Sequence, residues 1–148
     1  MKSRNGFTLP ELLVVVAVVA ILATVAAPNF ASVIQNSKVK KTTDFITQLT
    51  NTARSEALNR NTDVYLSIQT VPAASFCLST TSVSSGGHTC DIRSDLISAG
   101  TTVSLPVAEI KFDRIYGVPA TATTFTVVNG TYRKTVNLNM LGLVTIGG

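Results

Sequence analysis

A single carboxylate interrupts the most apolar stretch of the chain. The run Gly6-Phe7-Thr8-Leu9-Pro10-Glu11 is followed by uncharged residues from Leu12 to Ala27, and Lys2 and Arg4 lie just before it. The apolar stretch is about long enough for a helix to cross a bilayer. A carboxylate at such a place costs on the order of 3 kcal/mol on insertion scales. We therefore expect Glu11 to be functional and to have a charged partner.

An ordinary secretory signal peptide is one explanation of this segment. Lys2 and Arg4 form a basic start, and Val25-Ala26-Ala27 supplies the small residues of a cleavage site. Glu11, however, would lie inside the apolar core of that signal. Cleavage after Ala27 would also make Pro28 the first mature residue, where its ring hinders the peptidase. Both features disfavour an ordinary signal.

The segment instead resembles the class III leader of type IV pilins and type II secretion pseudopilins. Gly6, Phe7 and Glu11 match that leader residue by residue. In the family, prepilin peptidase cleaves after the glycine, the new first phenylalanine is N-methylated, and a glutamate is fifth. Pro28 lies where such pilins have a helix-bending proline. The resemblance implies a leader peptide over 1–6 and a transmembrane and polymerisation helix over 7–29.

The charges explain why such a pattern would work. Cleavage after Gly6 leaves a cationic amine on Phe7, within reach of Glu11 on a neighbouring subunit in a bundle of helices. A buried ion pair adds little net stability but penalises arrangements that leave either partner alone. Glu11 is therefore predicted to set the axial register of packed subunits. The alternative is that Glu11 merely complements the positive end of the helix dipole.

Composition indicates a small exported chain with one domain. About 120 residues remain after the leader and the membrane segment, enough for one modest core. Only 14% of the residues are charged. The formal net charge of +4 falls to +2 without Lys2 and Arg4, which is too little to indicate a polyanion partner. Frequent Thr, Ser, Val and Asn are typical of a strand-rich domain outside the cytoplasm.

Hydrophobic spacing predicts an α+β fold. Apolar residues recur at spacings of three and four over 30–60, so one helix is predicted from Phe7 to about Asn59, its second half amphipathic. A β-rich domain is predicted over 61–148, with Asn129-Gly130 as a type I′ hairpin. The fold class is thus a long N-terminal transmembrane helix packed on a small antiparallel β-rich pilin domain. The predicted strands are Asp63 to Thr70, Ser75 to Ser79, Thr101 to Leu105, Glu109 to Phe112, Thr123 to Val128, Thr131 to Leu138 and Leu143 to Ile146.

The two cysteines, Cys77 and Cys90, flank a loop of Ser, Thr and Gly with little capacity to pack. An even count in an exported chain predicts a disulfide. A zinc site would need four ligands, and His88 is the one histidine, so neither a metal nor a cofactor is expected. His88 also lacks paired carboxylates or a phosphate-binding glycine loop beside it. We therefore expect no enzymatic activity.

A second resemblance narrows the family. Residues 53–61 are similar to the helix-end motif of the GspH/FimT family of minor pilins and pseudopilins, and within them Glu56 and Arg60 are predicted to pair on the helix surface. The resemblance implies a minor pilin that primes or caps a type IV pilus. The alternatives are a pseudopilin H-like subunit of type II secretion and a DNA-binding minor pilin of natural transformation.

The same resemblance implies partners and a location. The partners are prepilin peptidase, other minor pilins or pseudopilins, the major pilin and the inner membrane. The protein would cross the inner membrane once, with a periplasmic globular domain, and then enter a filament near its tip.

DNA binding is the least favoured of these roles. Some family members have a C-terminal Gly-Arg-x-Arg motif, whereas the matching stretch here is Gly142-Leu143-Val144-Thr145, without an arginine. Affinity for phosphates depends on clustered Lys and Arg. The remaining candidates for DNA contact are scattered over several strands: Lys111, Arg114, Arg133 and Lys134.

Overall fold

The computed structural model describes residues 7–71, 73–85 and 89–148, with no side chains described over 25–29. This part of the chain forms one long helix, α1 (Leu9–Arg60), and eight strands. The contacts divide the chain into two units, Met1–Ile34 and Gln35–Gly148. The predicted α+β class is confirmed.

The start of α1 follows from local chemistry. The backbone N–H of Leu12 donates to the carbonyl of Thr8 at 3.2 Å, which forms the first helical turn. Pro10 is tolerated there because an N–H in the first turn has no helical acceptor. The helix begins two residues later than predicted, at Leu9 rather than Phe7. The bend predicted at Pro28 concerns a side chain outside the described residues, and it stays a prediction.

The end of α1 is an asparagine cap. Asn61 has a φ of 51°, the left-handed conformation that ends many helices. The N–H of Thr62 donates back to the carbonyl of Ala57 at 3.3 Å, the six-residue bond of a Schellman motif. Glu56 and Arg60 form the predicted ion pair at 2.5 Å one turn earlier.

The second half of α1 is amphipathic, as predicted. Its buried apolar residues join one core with both sheets, whose largest side chains are Phe76, Phe112 and Phe125. Two buried threonine hydroxyls are satisfied within the helix: Thr43 donates to the carbonyl of Val39 at 2.8 Å, and Thr50 donates to the carbonyl of Ile46 at 2.9 Å. The helix contributes to this core Val39, Ile46, Leu49, Ala53 and Ala57.

The strands form two antiparallel four-stranded sheets. The strands are β1 (Val64–Gln69), β2 (Ser75–Ser79), β3 (Arg93–Leu96), β4 (Thr102–Ser104), β5 (Glu109–Phe112), β6 (Thr123–Asn129), β7 (Tyr132–Leu138) and β8 (Val144–Gly147). The first sheet has the order β3-β2-β1-β5, and the second has the order β4-β6-β7-β8. All seven predicted strands are present, with small differences at their ends.

The strand that the sequence did not predict is β3. Its residues, Arg-Ser-Asp-Leu, lack the alternation of apolar and polar residues by which strands are recognised. It is an edge strand, held by its pairing with β2, in which Cys77 lies opposite Ser94. Arg93 and Asp95 form an ion pair along it, and charged residues are typical of protected edges.

The hairpin between β6 and β7 differs from the predicted type I′ turn. Asn129 pairs with Tyr132, so the two central residues are Gly130 and Thr131 rather than Asn129 and Gly130. Only the first has a positive φ, 59°, which fits type II′ and excludes type I′. The reason is tertiary: the buried amide of Asn129 donates to Thr101 Oγ1 at 2.9 Å, which holds Asn129 within the strand.

Candidate functional site

The start of α1 carries the predicted assembly residues. Glu11 lies in the first helical turn, where a negative charge is favoured by the helix dipole. Its side chain is exposed, and the ion pairs found among the described residues do not include it. Phe7 is 80% exposed. Gly6, the predicted cleavage site, lies outside the described residues, so the cleavage and methylation of this segment stay predictions.

The following turns of α1 expose apolar side chains all around the helix. A helix that is apolar on every face needs a cover of lipid or protein, because each side chain left in water forfeits roughly 1.5–3 kcal/mol of burial energy. The exposed large side chains of this part of α1 are Leu9, Leu12, Leu13, Val14, Val15, Val16, Val18, Val19, Ile21 and Leu22, and Phe7 is exposed just before the helix.

Among the residues that the structure describes, no helix is both long enough and apolar enough to span a bilayer. The predicted transmembrane segment, 7–29, also includes side chains outside the described part. It stays a prediction.

The predicted disulfide between Cys77 and Cys90 is present, with the two Cα atoms 5.2 Å apart. It ties the buried middle of β2 to the far end of the polar loop, while His88 lies outside the described residues. Two carboxylates add to the attachment of this loop. Asp91 accepts hydrogen bonds from the N–H and hydroxyl of Thr80 at 2.9 and 2.8 Å. Glu109 accepts from the N–H of Val83 at 2.7 Å.

The charge of Asp91 is stabilised by these bonds. Partial burial opposes its charged form, but the hydrogen bonds from Thr80 outweigh that effect. The pKa of Asp91 is therefore lowered from its ordinary value. The loop thus depends on an ionised carboxylate as well as on the disulfide.

Two of the candidate DNA contacts lie around a single carboxylate. Lys111 on β5 forms an ion pair with Asp63 at 2.7 Å, and that hydrogen bond raises the pKa of Lys111 and lowers the pKa of Asp63. The backbone N–H of Arg114 donates to the same carboxylate at 3.2 Å. The positive charge of Lys111 is therefore compensated within the protein.

The other two candidates, Arg133 and Lys134, lie on β7 in the second sheet. Arg133 is exposed, and Lys134 is half-buried, with its stem packed near Gly148. Lys111 thus lies on the first sheet, Arg114 lies in the turn that follows β5, and the other two basic residues lie on the second sheet. The structure does not gather the four into one run along the chain or one strand.

Two tight loops that were not predicted from the sequence expose bulky apolar residues. One loop runs from Asp113 to Gly117, and the other from Asn139 to Leu143. A turn-forming Asp or Asn followed within four residues by Gly was the available signal. The side chains exposed on these loops are Ile115, Tyr116, Met140, Leu141 and Leu143.

A long N-terminal helix, exposed and apolar in its first turns and packed in its second half on antiparallel sheets, defines a pilin-like protein. Residues 1–27 match the model of the prokaryotic N-terminal methylation motif. Residues 42–142 match the model of the type II transport protein GspH. The chain belongs to the GspH family.

Solved structures support this fold. The type IV minor pilin FimU of Pseudomonas aeruginosa, in a P21 crystal, has a TM-score of 0.63 at 15% identity, covering 76% of this chain and 90% of FimU. The P65 crystal form of FimU has a TM-score of 0.60 at 14% identity, covering 74% and 92%. At such identities the likeness shows the fold alone. No significant match was found among curated proteins.

Family membership and the methylation motif together imply how such a protein is processed and where it resides. Such a protein is processed by prepilin peptidase, anchored in a membrane and then built into a filament. Its partners are pilins or pseudopilins.

Proposed function

We propose that this protein is a FimU-like minor pilin that primes or caps the assembly of a type IV pilus, with no enzymatic activity. The observation that carries the proposal is the exposed apolar start of α1 with one carboxylate, Glu11, that has no ion-pair partner among the described residues. In this role the protein crosses the inner membrane once, with a periplasmic globular domain. It then lies in the pilus near the tip.

The mechanism uses the amine created by leader removal. Cleavage after Gly6 gives Phe7 a cationic N-terminus, and Glu11 of an adjacent subunit neutralises it within the helical bundle. The pair rejects wrong axial registers because either charge left alone among apolar side chains is costly. Dispersion and burial of the apolar side chains then supply the attraction between subunits.

Two further observations support the pilus over secretion. The fold likeness to FimU is the first. The second is the disulfide between Cys77 and Cys90, which fixes a polar loop and suits a domain exposed outside the cell.

Replacement of Glu11 tests the proposal. We expect Glu11→Ala to leave membrane insertion intact while the protein disappears from sheared filaments and from complexes with other pilins. Mass spectrometry of the purified protein should show Phe7, methylated, as the first residue. The matched control is Glu56→Ala, which removes a carboxylate from the exposed face of the same helix and should enter filaments normally. Normal incorporation of Glu11→Ala would contradict the proposal.

A type II secretion pseudopilin is the second candidate, favoured by the match of residues 42–142 to the GspH model. The two roles share the mechanism of the N-terminal helix and differ in the filament that is built. Deletion of the gene separates them. Loss of surface pili with normal protein secretion supports the pilus role, and the reverse result supports the secretion role.

DNA binding in natural transformation is the third candidate. It is favoured by Arg133 and Lys134, neither of which belongs to an ion pair found among the described residues. Against it, Leu143 and Thr145 stand exposed where DNA-binding relatives have arginine. Charge reversal at Arg133 and Lys134 should leave transformation unchanged if the assembly role holds.

A further inference from the structure

Two tight loops carry large apolar side chains into solvent on the globular unit. Ile115 and Tyr116 are 63% and 70% exposed, and Leu141 is 68% exposed. Single exposed apolar residues are common on protein surfaces, whereas a group of them on adjacent loops marks an interaction site. We call the surface formed by the loops Asp113–Gly117 and Asn139–Leu143 the two-loop surface.

Both loops are held in shape by the side chain of their first residue. Oδ1 of Asp113 accepts the N–H groups of Ile115 and Tyr116 at 2.7 and 3.1 Å. Oδ1 of Asn139 accepts the N–H groups of Leu141 and Leu143 at 3.0 and 2.9 Å. A surface fixed in advance loses little conformational entropy on binding.

Backbone bonds close each loop as well. The N–H of Asp113 donates to the carbonyl of Val118 at 3.0 Å, and the N–H of Asn139 donates to the carbonyl of Leu143 at 3.1 Å. Each loop also contains a glycine with positive φ, Gly117 at 63° and Gly142 at 78°. The loops are therefore built structures that present their apolar side chains at fixed places.

Arg54 on α1 joins the two loops. A Cβ on Gly117 would lie 2.8 Å from Arg54 Cγ, so this loop packs directly on the arginine stem. A Cβ on Gly142 would lie 3.5 Å from Arg54 Nη1 and 3.6 Å from Pro119 Cδ, which places the second loop beside the guanidinium. Arg54 thus lies against both loops, each of which carries exposed apolar side chains.

The guanidinium of Arg54 belongs to none of the ion pairs found in the described part of the chain. A second arginine, Arg114, is exposed on the first loop. Its neighbour in sequence, Asp113, has one carboxylate oxygen bound to N–H groups of its own loop. The two loops that lie against Arg54 also carry Tyr116 and Met140, and Arg, Tyr and Met are residue types enriched at protein interfaces. The charge complement of Arg54 is a carboxylate flanked by apolar side chains.

A second copy of this chain is a poor source of that complement, and Asp113, with one oxygen bound within its own loop, adds little to it. Most carboxylates of the unit Gln35–Gly148 already bind within it, and Asp44, which is in no ion pair of the described residues, has Lys40 and Lys41 as its helical neighbours. The committed carboxylates are Glu56, Asp63, Asp91, Asp95 and Glu109.

We infer that the two-loop surface docks a different filament subunit, through a segment that presents a carboxylate to Arg54 and apolar side chains to the two loops. The inference rests on the proposed function, since the partner is a subunit of the same filament. Apolar residues dominate the surface, which favours protein over nucleic acid as its partner.

Site-specific photocrosslinking of the full-length protein in its host tests the inference. A photoreactive phenylalanine analogue at Tyr116 or Leu141 should give an adduct with one other pilin-type subunit, identified by mass spectrometry. The same analogue at Leu96, which is 75% exposed on β3, should not give that adduct. Arg54→Glu should lower the adduct yield about tenfold, as loss of a hot-spot residue does. Arg133→Glu, the matched control, should leave it unchanged.

A second variant guards against a folding defect, because Arg54 also supports the loops. Ile115→Ser alone should lower the yield from the Leu141 probe while the disulfide-bonded protein accumulates normally. An adduct with a second copy of this chain, an adduct with nucleic acid, or a yield that either variant leaves unchanged would overturn the inference.

The same cells distinguish a failure of the inference from a failure of the proposed function. If Glu11→Ala abolishes incorporation into filaments while Arg54→Glu leaves the adduct unchanged, the inference fails and the assembly role stands. If the adduct forms as expected but Glu11→Ala incorporates normally, the proposed mechanism of assembly fails and the docking surface stands.

Discussion

At the scale of single residues, a few positions perform tasks that their neighbours cannot. Asn61 terminates α1 with a φ of 51°, a conformation that costs most residues roughly 1–2 kcal/mol. Asparagine tolerates it better because its short polar side chain bonds locally. The sequence signals this role, since Asn61 follows the last helical residues and precedes an alternating strand.

Replacement of Asn61 should separate conformation from contact. We expect Asn61→Ala to lower the free energy of unfolding by about 1 kcal/mol, and Asn61→Gly to leave it equal or slightly higher. Urea unfolding of the detergent-solubilised protein measures both. The control is Asn51→Ala at an exposed helical position, which should be neutral or mildly stabilising. Equal stability of the Asn61→Ala and Asn61→Gly variants would contradict the role of the cap.

At the scale of elements, the polar loop after β2 depends on attachments rather than on a core. The disulfide holds its two ends, and Asp91 and Glu109 bind backbone N–H groups within it. The short 3₁₀ helix in the loop, Val83–Ser85, has no buried residue. The described part of the loop is therefore held by the disulfide and by hydrogen bonds.

Reduction of the disulfide should loosen this element. We expect the free energy of unfolding to fall by roughly 2–4 kcal/mol on reduction, with a lower Tm, because the open loop restores entropy to the unfolded chain. Thermal unfolding with and without reductant measures the effect. A variant with both Cys77→Ala and Cys90→Ala is the control, and its Tm should not respond to reductant. Two titratable thiols in the untreated native protein would contradict the assignment.

At the scale of the whole molecule, the two units meet different physical demands. The described side chains of Met1–Ile34 are largely exposed and apolar. Their removal from water therefore depends on lipid or on other subunits. The unit Gln35–Gly148 buries its own core and is stabilised in addition by ionised carboxylates. Acid should therefore lower the stability of the second unit.

We expect the free energy of unfolding to decrease as the pH falls below about 4. The pKa values of Asp63 and Asp91 are lowered in the folded protein from the ordinary value of 3.8. A lowered carboxyl pKa adds stability above the unfolded value, and this stability is lost as the pH falls through the folded one. The raised pKa of Lys111 acts oppositely, and its contribution is lost only in strong alkali.

Urea unfolding between pH 7 and pH 2.5 measures this dependence. The combined Asp63→Asn and Asp91→Asn variant should be less stable at pH 7 and should show a shallower decline in acid. Asp44→Asn is the matched control, since it changes an exposed helical carboxylate that is in no ion pair of the described residues. A variant that declines as steeply as the wild type would show that other groups govern the acid response.

The sequence by itself determined the helix, most strands and the disulfide. Each follows from local physics: a spacing of three and four over 30–60, alternation in β1, and paired cysteines in an exported chain. The leader resemblance likewise depends on adjacent residues, Gly6 to Glu11, and the match of 1–27 to the methylation motif confirms it.

Only the tertiary structure decided β3, the turn at Gly130 and the two-loop surface. The charged sequence of β3 becomes a strand because β2 offers it unpaired backbone groups, and Asn129 is held in β6 by Thr101. Arg54 lies far along the chain from both loops that it joins. No local sequence pattern encodes such tertiary contacts, because they arise from the packing of segments that are distant in sequence.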